Sequence, residues 1–88
     1  MQYRIKIDRE ALKFLSALPK KMEQQITRKI DLLKTNPHPA GHKKLDDNMY
    51  RIRSGDYRII YRIINDQIII HILAIGNRKD IYRRLPHL

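Results

Sequence analysis

The chain has 88 residues, 42% of them hydrophobic and none of them cysteine. That length predicts a single domain over residues 1–88 with a modest core, and the lack of cysteine excludes disulfides and thiolate metal sites. Nineteen Lys and Arg against nine Asp and Glu leave a net charge of +10, which adds nothing to stability and points to a polyanion or an acidic protein partner.

The amino terminus, Met1-Gln2-Tyr3-Arg4-Ile5-Lys6, lacks the apolar stretch of a signal peptide. The longest uncharged run, Gln67 to Asn77, is too short to span a bilayer. A cytoplasmic protein without membrane contact is the expectation.

Tyr3, Ile5 and Ile7 alternate with charged residues, which predicts a first strand. Asp8 suits the cap of a short helix with Ala11, Leu12, Leu15 and Leu18 on one face. Pro19 fits the first turn of a second helix, carried on by Met22, Ile26, Ile30 and Leu33. That helix should stop before Pro37, since a residue preceding proline is pushed out of the helical region. His38 to Asn48 reads as a polar loop. Beyond it the period changes to two: Tyr50 to Arg53 alternates, Gly55-Asp56 turns the chain, and Tyr57 to Ile64 alternates again. Asn65-Asp66 predicts a second turn. Ile68 to Ile75 is almost wholly apolar, as an interior strand covered on both faces would be. The class is therefore α+β: strand, two helices, then a three-strand antiparallel meander, with the helices on one sheet face.

Register sharpens this. If Gly55-Asp56 is a two-residue hairpin loop, Ser54 faces Tyr57 and Arg53 faces Arg58. Opposed residues share a face, so Arg51, Arg53 and Arg58 lie together, away from the helices. Tyr50, Ile52, Ile59 and Tyr61 point toward the helices. A two-residue loop at Asn65-Asp66 adds Ile68, Ile70 and Ile72 to the helix side, and Arg62, His71 and Leu73 to the arginine side. One or two arginines would be an ordinary solvated face. Three, joined by Arg78 just past the last strand, predict a phosphate-binding groove, because guanidinium forks pair with anions.

Asn36-Pro37, Lys43-Lys44-Leu45, Tyr50-Arg51-Ile52-Arg53, Gly55-Asp56-Tyr57-Arg58-Ile59-Ile60-Tyr61 and Asn77-Arg78-Lys79-Asp80-Ile81-Tyr82-Arg83 occur in the order found in RelE-like toxins of the RelE/ParE superfamily. The chain resembles that family from its first strand to Arg83. The resemblance implies a RelE-like fold related to the microbial ribonucleases. It implies cleavage of messenger RNA in the ribosomal A site, with no metal or other cofactor. It also implies an acidic, RelB-like antitoxin, and contact with operator DNA through the antitoxin complex. Position by position it implies a catalytic set of Arg51, Arg53, Arg58, Arg78 and Tyr82.

Cleavage by a ribose 2′-hydroxyl needs a base, donors for the phosphorane and an acid for the leaving oxygen. Arg53 and Arg58 are expected to hold the phosphate, Arg78 to support the leaving group, and Tyr82 to stack on a base. Where some RelE enzymes carry lysines, this chain has Arg51 and Arg53, and arginine is a poor proton acceptor. Lys44 is a candidate base in their place. Lys43, Lys44, Lys79 and Arg83 are expected to contact messenger or ribosomal RNA. The four histidines show no metal-ligand spacing, and His71 suits a structural role. The rival readings are a ParE-like gyrase inhibitor, which has no need of the five-residue set, and a non-catalytic module that binds antitoxin and operator.

Overall fold

The computed structural model describes residues 2–81. The elements run β1 (Arg4–Ile7), α1 (Arg9–Ser16), α2 (Lys20–Leu32), β2 (Lys43–Asp46), β3 (Met49–Ser54), β4 (Tyr57–Ile64) and β5 (Ile69–Asn77). They form one sheet in the order β1-β5-β4-β3-β2, with β1 parallel to β5 and the other pairs antiparallel.

The helices begin where local chemistry starts them. Asp8 caps α1, its carboxylate accepting from the Glu10 N–H at 3.2 Å. Pro19 stands just before α2 in an extended conformation. Ala11 and Leu15 of α1, Ile26 and Ile30 of α2, and Leu33 just after it pack on Ile52, Ile59, Tyr61, Ile63, Ile70, Ile72 and Ile75 of the sheet. Both helices thus cover one sheet face, as expected. Leu12 and Met22 depart from the helical pattern, being 48% and 38% exposed. The apolar stripe is wider than the contact each helix makes with the sheet.

Three details differ from the sequence-based expectation. First, the segment expected to be a loop contains β2, so the meander has four strands rather than three. Lys43-Lys44-Leu45-Asp46 has one partly buried apolar residue and no visible alternation, since an outer strand carries charges on its open edge. Second, β4 and β5 join through Asn65 to Ile68 rather than two residues, because Ile64 pairs with Ile69. Ile68 sits in that loop at φ 55°, a conformation disfavoured for a β-branched residue. Its carbonyl accepts from the Arg4 N–H at 2.9 Å and starts the β1–β5 pairing. Residue parity survives, so Ile70 and Ile72 still face the helices.

Third, β5 carries a bulge. Ile60 pairs with Ala74 but Tyr61 pairs with Ile72, leaving Leu73 as the extra residue. The bulge shifts the phase, so both Ile72 and Ile75 enter the helix-side core. Ala74 and Gly76 then fall on the opposite face, with Gly76 across from Arg58. There Met49, Ile60 and Ala74 form a second apolar cluster under Ile81, with Leu45 and Leu73 at its margin. A Cβ on Gly76 would meet the Ile81 Cδ1 at 3.0 Å, so glycine lets Ile81 settle.

Candidate nucleic-acid interface

The β3–β4 hairpin places the arginines. Gly55 takes φ 60°, the left-handed conformation a tight turn needs and glycine adopts without strain. The pairs that follow are Ser54 with Tyr57, Arg53 with Arg58, and Arg51 with Ile60. This is the register expected from the two-residue turn. Arg51, Arg53 and Arg58 share the face turned away from the helices.

Arg78 joins them through its backbone. Its N–H donates to the Asp56 carbonyl at 2.9 Å, tying the end of β5 to the hairpin loop. Asn77 organises the turn that follows: its side chain accepts from the Lys79 N–H at 3.1 Å and its carbonyl from the Asp80 N–H at 3.1 Å. Ile81, fully buried, anchors the far end of this turn. The result is an open cavity of about 340 Å³ lined by Arg51, Arg53, Arg58 and Arg78.

Within it the four guanidinium groups differ. Arg58 is 7% exposed, and its Nη1 donates to the Gly55 and Tyr57 carbonyls, each at 3.2 Å. Its head group is therefore held by the hairpin before any ligand arrives. Arg51 is half-buried, while Arg53 and Arg78 are exposed and, among the described residues, make no ion pair. One held and two exposed cations suit a tetrahedral anion, which offers oxygens in several directions.

The lysines divide. Lys43 pairs with Arg51 and stands on the arginine face, whereas Lys44 pairs with Tyr50 on the helix side. Of the two, Lys43 is the one beside the cavity, although Lys44 was the sequence-based candidate for the base. Lys79 is exposed in the turn after β5. Tyr82 and Arg83 lie outside the described residues.

His71 shares the arginine face but stands at the other end of it, paired with Arg62 and Lys6. Burial first, then the Lys6 charge and to a lesser degree Arg62, lower its pKa, while Asp8 opposes them. Among the described residues, no group of three or more His, Asp or Glu gathers to hold a metal ion. No helix there is long and apolar enough to cross a membrane.

Sequence reasoning missed an aromatic support behind the site. Tyr50 stacks on Tyr61 with ring centroids 5.8 Å apart, and His38 meets Tyr50 edge-on at 5.0 Å. The Tyr61 hydroxyl donates to the Pro37 carbonyl at 2.7 Å. Burial, and secondarily Tyr50, raise the Tyr61 pKa far above its usual value, so the phenol stays protonated as a donor. This stack fastens the segment leading into β2, and so fixes where Lys43 stands. The tyrosines' shared parity was the available signal.

Comparison with known proteins gives the family and the fold. A family model described as the ParE toxin of the type II toxin–antitoxin system, parDE, matches residues 5–82. The chain is 33% identical over 87 residues to an Escherichia coli protein described as a RelE-like toxin, covering 93% of this chain and 92% of that one. It is 24% identical over 82 residues to the mRNA interferase toxin RelE of Escherichia coli K12, covering 90% and 86%. The archaeal RelE–RelB complex from Pyrococcus horikoshii OT3 contains a chain that matches with a TM-score of 0.77 at 31% identity, over 90% of this chain and 98% of that one. The protein therefore belongs to the ParE toxin family and is a RelE-like toxin of a type II toxin–antitoxin system.

Proposed function

We propose that the chain is a ribosome-dependent endoribonuclease that cuts messenger codons in the ribosomal A site, held in check by an acidic, RelB-like antitoxin. One observation carries the reading: Arg51, Arg53, Arg58 and Arg78 line a single cavity on the open face of the sheet. A gyrase-binding protein has no need of four guanidinium groups around one open cavity. The name of the mRNA interferase relative supports the reaction class. The RelE–RelB complex supports the partner, through which operator DNA would be bound.

In this reading the scissile phosphate lies among the arginines. The 2′-hydroxyl of the preceding ribose attacks phosphorus as a base removes its proton, and the bond to the 5′ oxygen breaks as that oxygen gains one. The products are a 2′,3′-cyclic phosphate and a 5′-hydroxyl. Arg58, already fixed by the hairpin carbonyls, stabilises the charge that grows on the phosphorane oxygens. Arg53 and Arg51 complete the binding of those oxygens, and Arg78 supports the leaving group. Lys43, opposite Arg51, is assigned the proton transfer that arginine performs poorly. Tyr82 is assigned to base stacking, and Lys44, Lys79 and Arg83 to RNA contacts.

The test is to induce the chain in bacteria and map messenger 5′ ends by primer extension. Cuts inside translated codons should appear and vanish when translation is blocked. Arg58→Ala and Arg78→Ala should each reduce cutting by ~10²-fold or more, the scale of losing one donor to a developing oxyanion. Normal cutting by both variants would sink the site assignment. Double-strand DNA breaks with intact messengers would establish gyrase poisoning instead.

A further inference from the structure

A second group of basic side chains lies on the same face. Lys6 of β1 pairs with His71 of β5, and His71 pairs with Arg62 of β4. The three stand in line across neighbouring strands. Ile5 and Ile7 pack toward the helix-side core, so Lys6 points the other way. Arg62 follows Arg58 by four positions in one strand, so both face away from the helices. Lys6 and Arg62 are exposed and, among the described residues, neither makes an ion pair.

The spacing connects this line to the arginine cluster. A strand rises ~3.3 Å per residue, so Arg62 lies on the order of 13 Å from Arg58 along β4. Single-stranded RNA crosses that distance in a few nucleotides. Between the two cationic ends lies the buried apolar cluster of Ile60, Ala74, Met49 and Ile81, with Leu73 partly buried beside it. Because that middle is closed, a strand crossing it would be held through its backbone phosphates at the two cationic ends. An acidic peptide would also match the charge, but it would have to share this face with the RNA already held by the arginines. Continuity with the arginine cavity favours the RNA.

We infer that Lys6, His71 and Arg62 bind a second backbone phosphate of the same RNA strand whose scissile phosphate lies among Arg51, Arg53, Arg58 and Arg78. The inference rests on the endoribonuclease reading above. The line acts at a distance from the reacting atoms: it sets how far the strand is drawn across the sheet, and hence which phosphate reaches Arg58.

Fluorescence anisotropy with labelled 2′-O-methyl RNA, which lacks the attacking hydroxyl, tests it on the purified chain. A dinucleotide, with its single internal phosphate, reaches the arginine cavity alone, and an oligomer of roughly ten nucleotides reaches both ends of the face. The Lys6→Ala/Arg62→Ala double variant should bind the long oligomer ~10-fold more weakly at low salt, with the salt slope reduced by roughly 0.7 for each cation lost. Its binding of the dinucleotide should change little. The Lys6→Arg/Arg62→Lys variant, which keeps both charges, should retain the slope and exclude a folding defect as the cause. Unchanged affinity and slope for the long oligomer would overturn the inference, even if the double variant lost affinity for an acidic antitoxin peptide. So would equal losses for both lengths, which would indicate general charge attraction only. Arg58→Ala should weaken both lengths. If it weakens neither, the endoribonuclease reading itself falls, a result distinct from failure of the second site.

Discussion

Arg53 stands directly across from Arg58, in the second residue pair from the turn of the β3–β4 hairpin. Two cations in that position repel each other, and Arg58 is held there by the Gly55 and Tyr57 carbonyls. The hairpin therefore carries a local cost that an anion between the two arginines removes.

Arg53→Thr should separate stability from activity. Threonine suits a strand and ends the repulsion, so the variant should be more stable by about 0.5 kcal/mol, while messenger cleavage falls. Thermal melts at low salt check the first part. Adding inorganic phosphate should raise the wild-type midpoint more than that of the variant, because the anion binds the folded wild-type chain more tightly.

Tyr61→Phe removes one hydroxyl and keeps the ring. The Pro37 carbonyl then loses its 2.7 Å donor in a part-buried setting, at a cost of about 1–2 kcal/mol. Urea unfolding measures this directly. Tyr3→Phe is the control: its hydroxyl bonds Asn65 at 3.1 Å in an exposed position, so its loss should move the urea midpoint much less.

His71 should make the fold acid-sensitive. Its pKa in the folded chain is lowered from the usual 6.5, by burial first and then by Lys6 and Arg62, with Asp8 opposing. The unfolded chain therefore takes up the proton at higher pH than the folded one. Stability should be full above 6.5, fall as the pH drops from there toward the folded-state pKa, and level off below it. In urea titrations across this range, His71→Asn should have a flatter pH profile than the wild type. An identical profile would show that His71 carries none of the dependence.

Much of the candidate site was legible because it depends on neighbours in sequence. Turn chemistry at Gly55-Asp56 and a period of two place Arg51, Arg53 and Arg58 on one face before any tertiary contact is considered. The Asn77 to Arg83 string likewise carries the family resemblance within a few residues. Less visible were the partners of those residues. Sequence alone shows no β2, and so no opposite residue for Lys43 or for Lys44, the candidate base.

By itself, the sequence determined the helix-side core of α2, the parity of β3 and β4, the basic charge and the family. Each depends on residue type at short spacing. Only the tertiary structure decided the pairing of β1 with β5, the bulge at Leu73, the seat of Ile81 over Gly76 and the line of Lys6, His71 and Arg62. These join residues distant along the chain or break its local period. Their positions follow from which strands meet, and no local pattern encodes that.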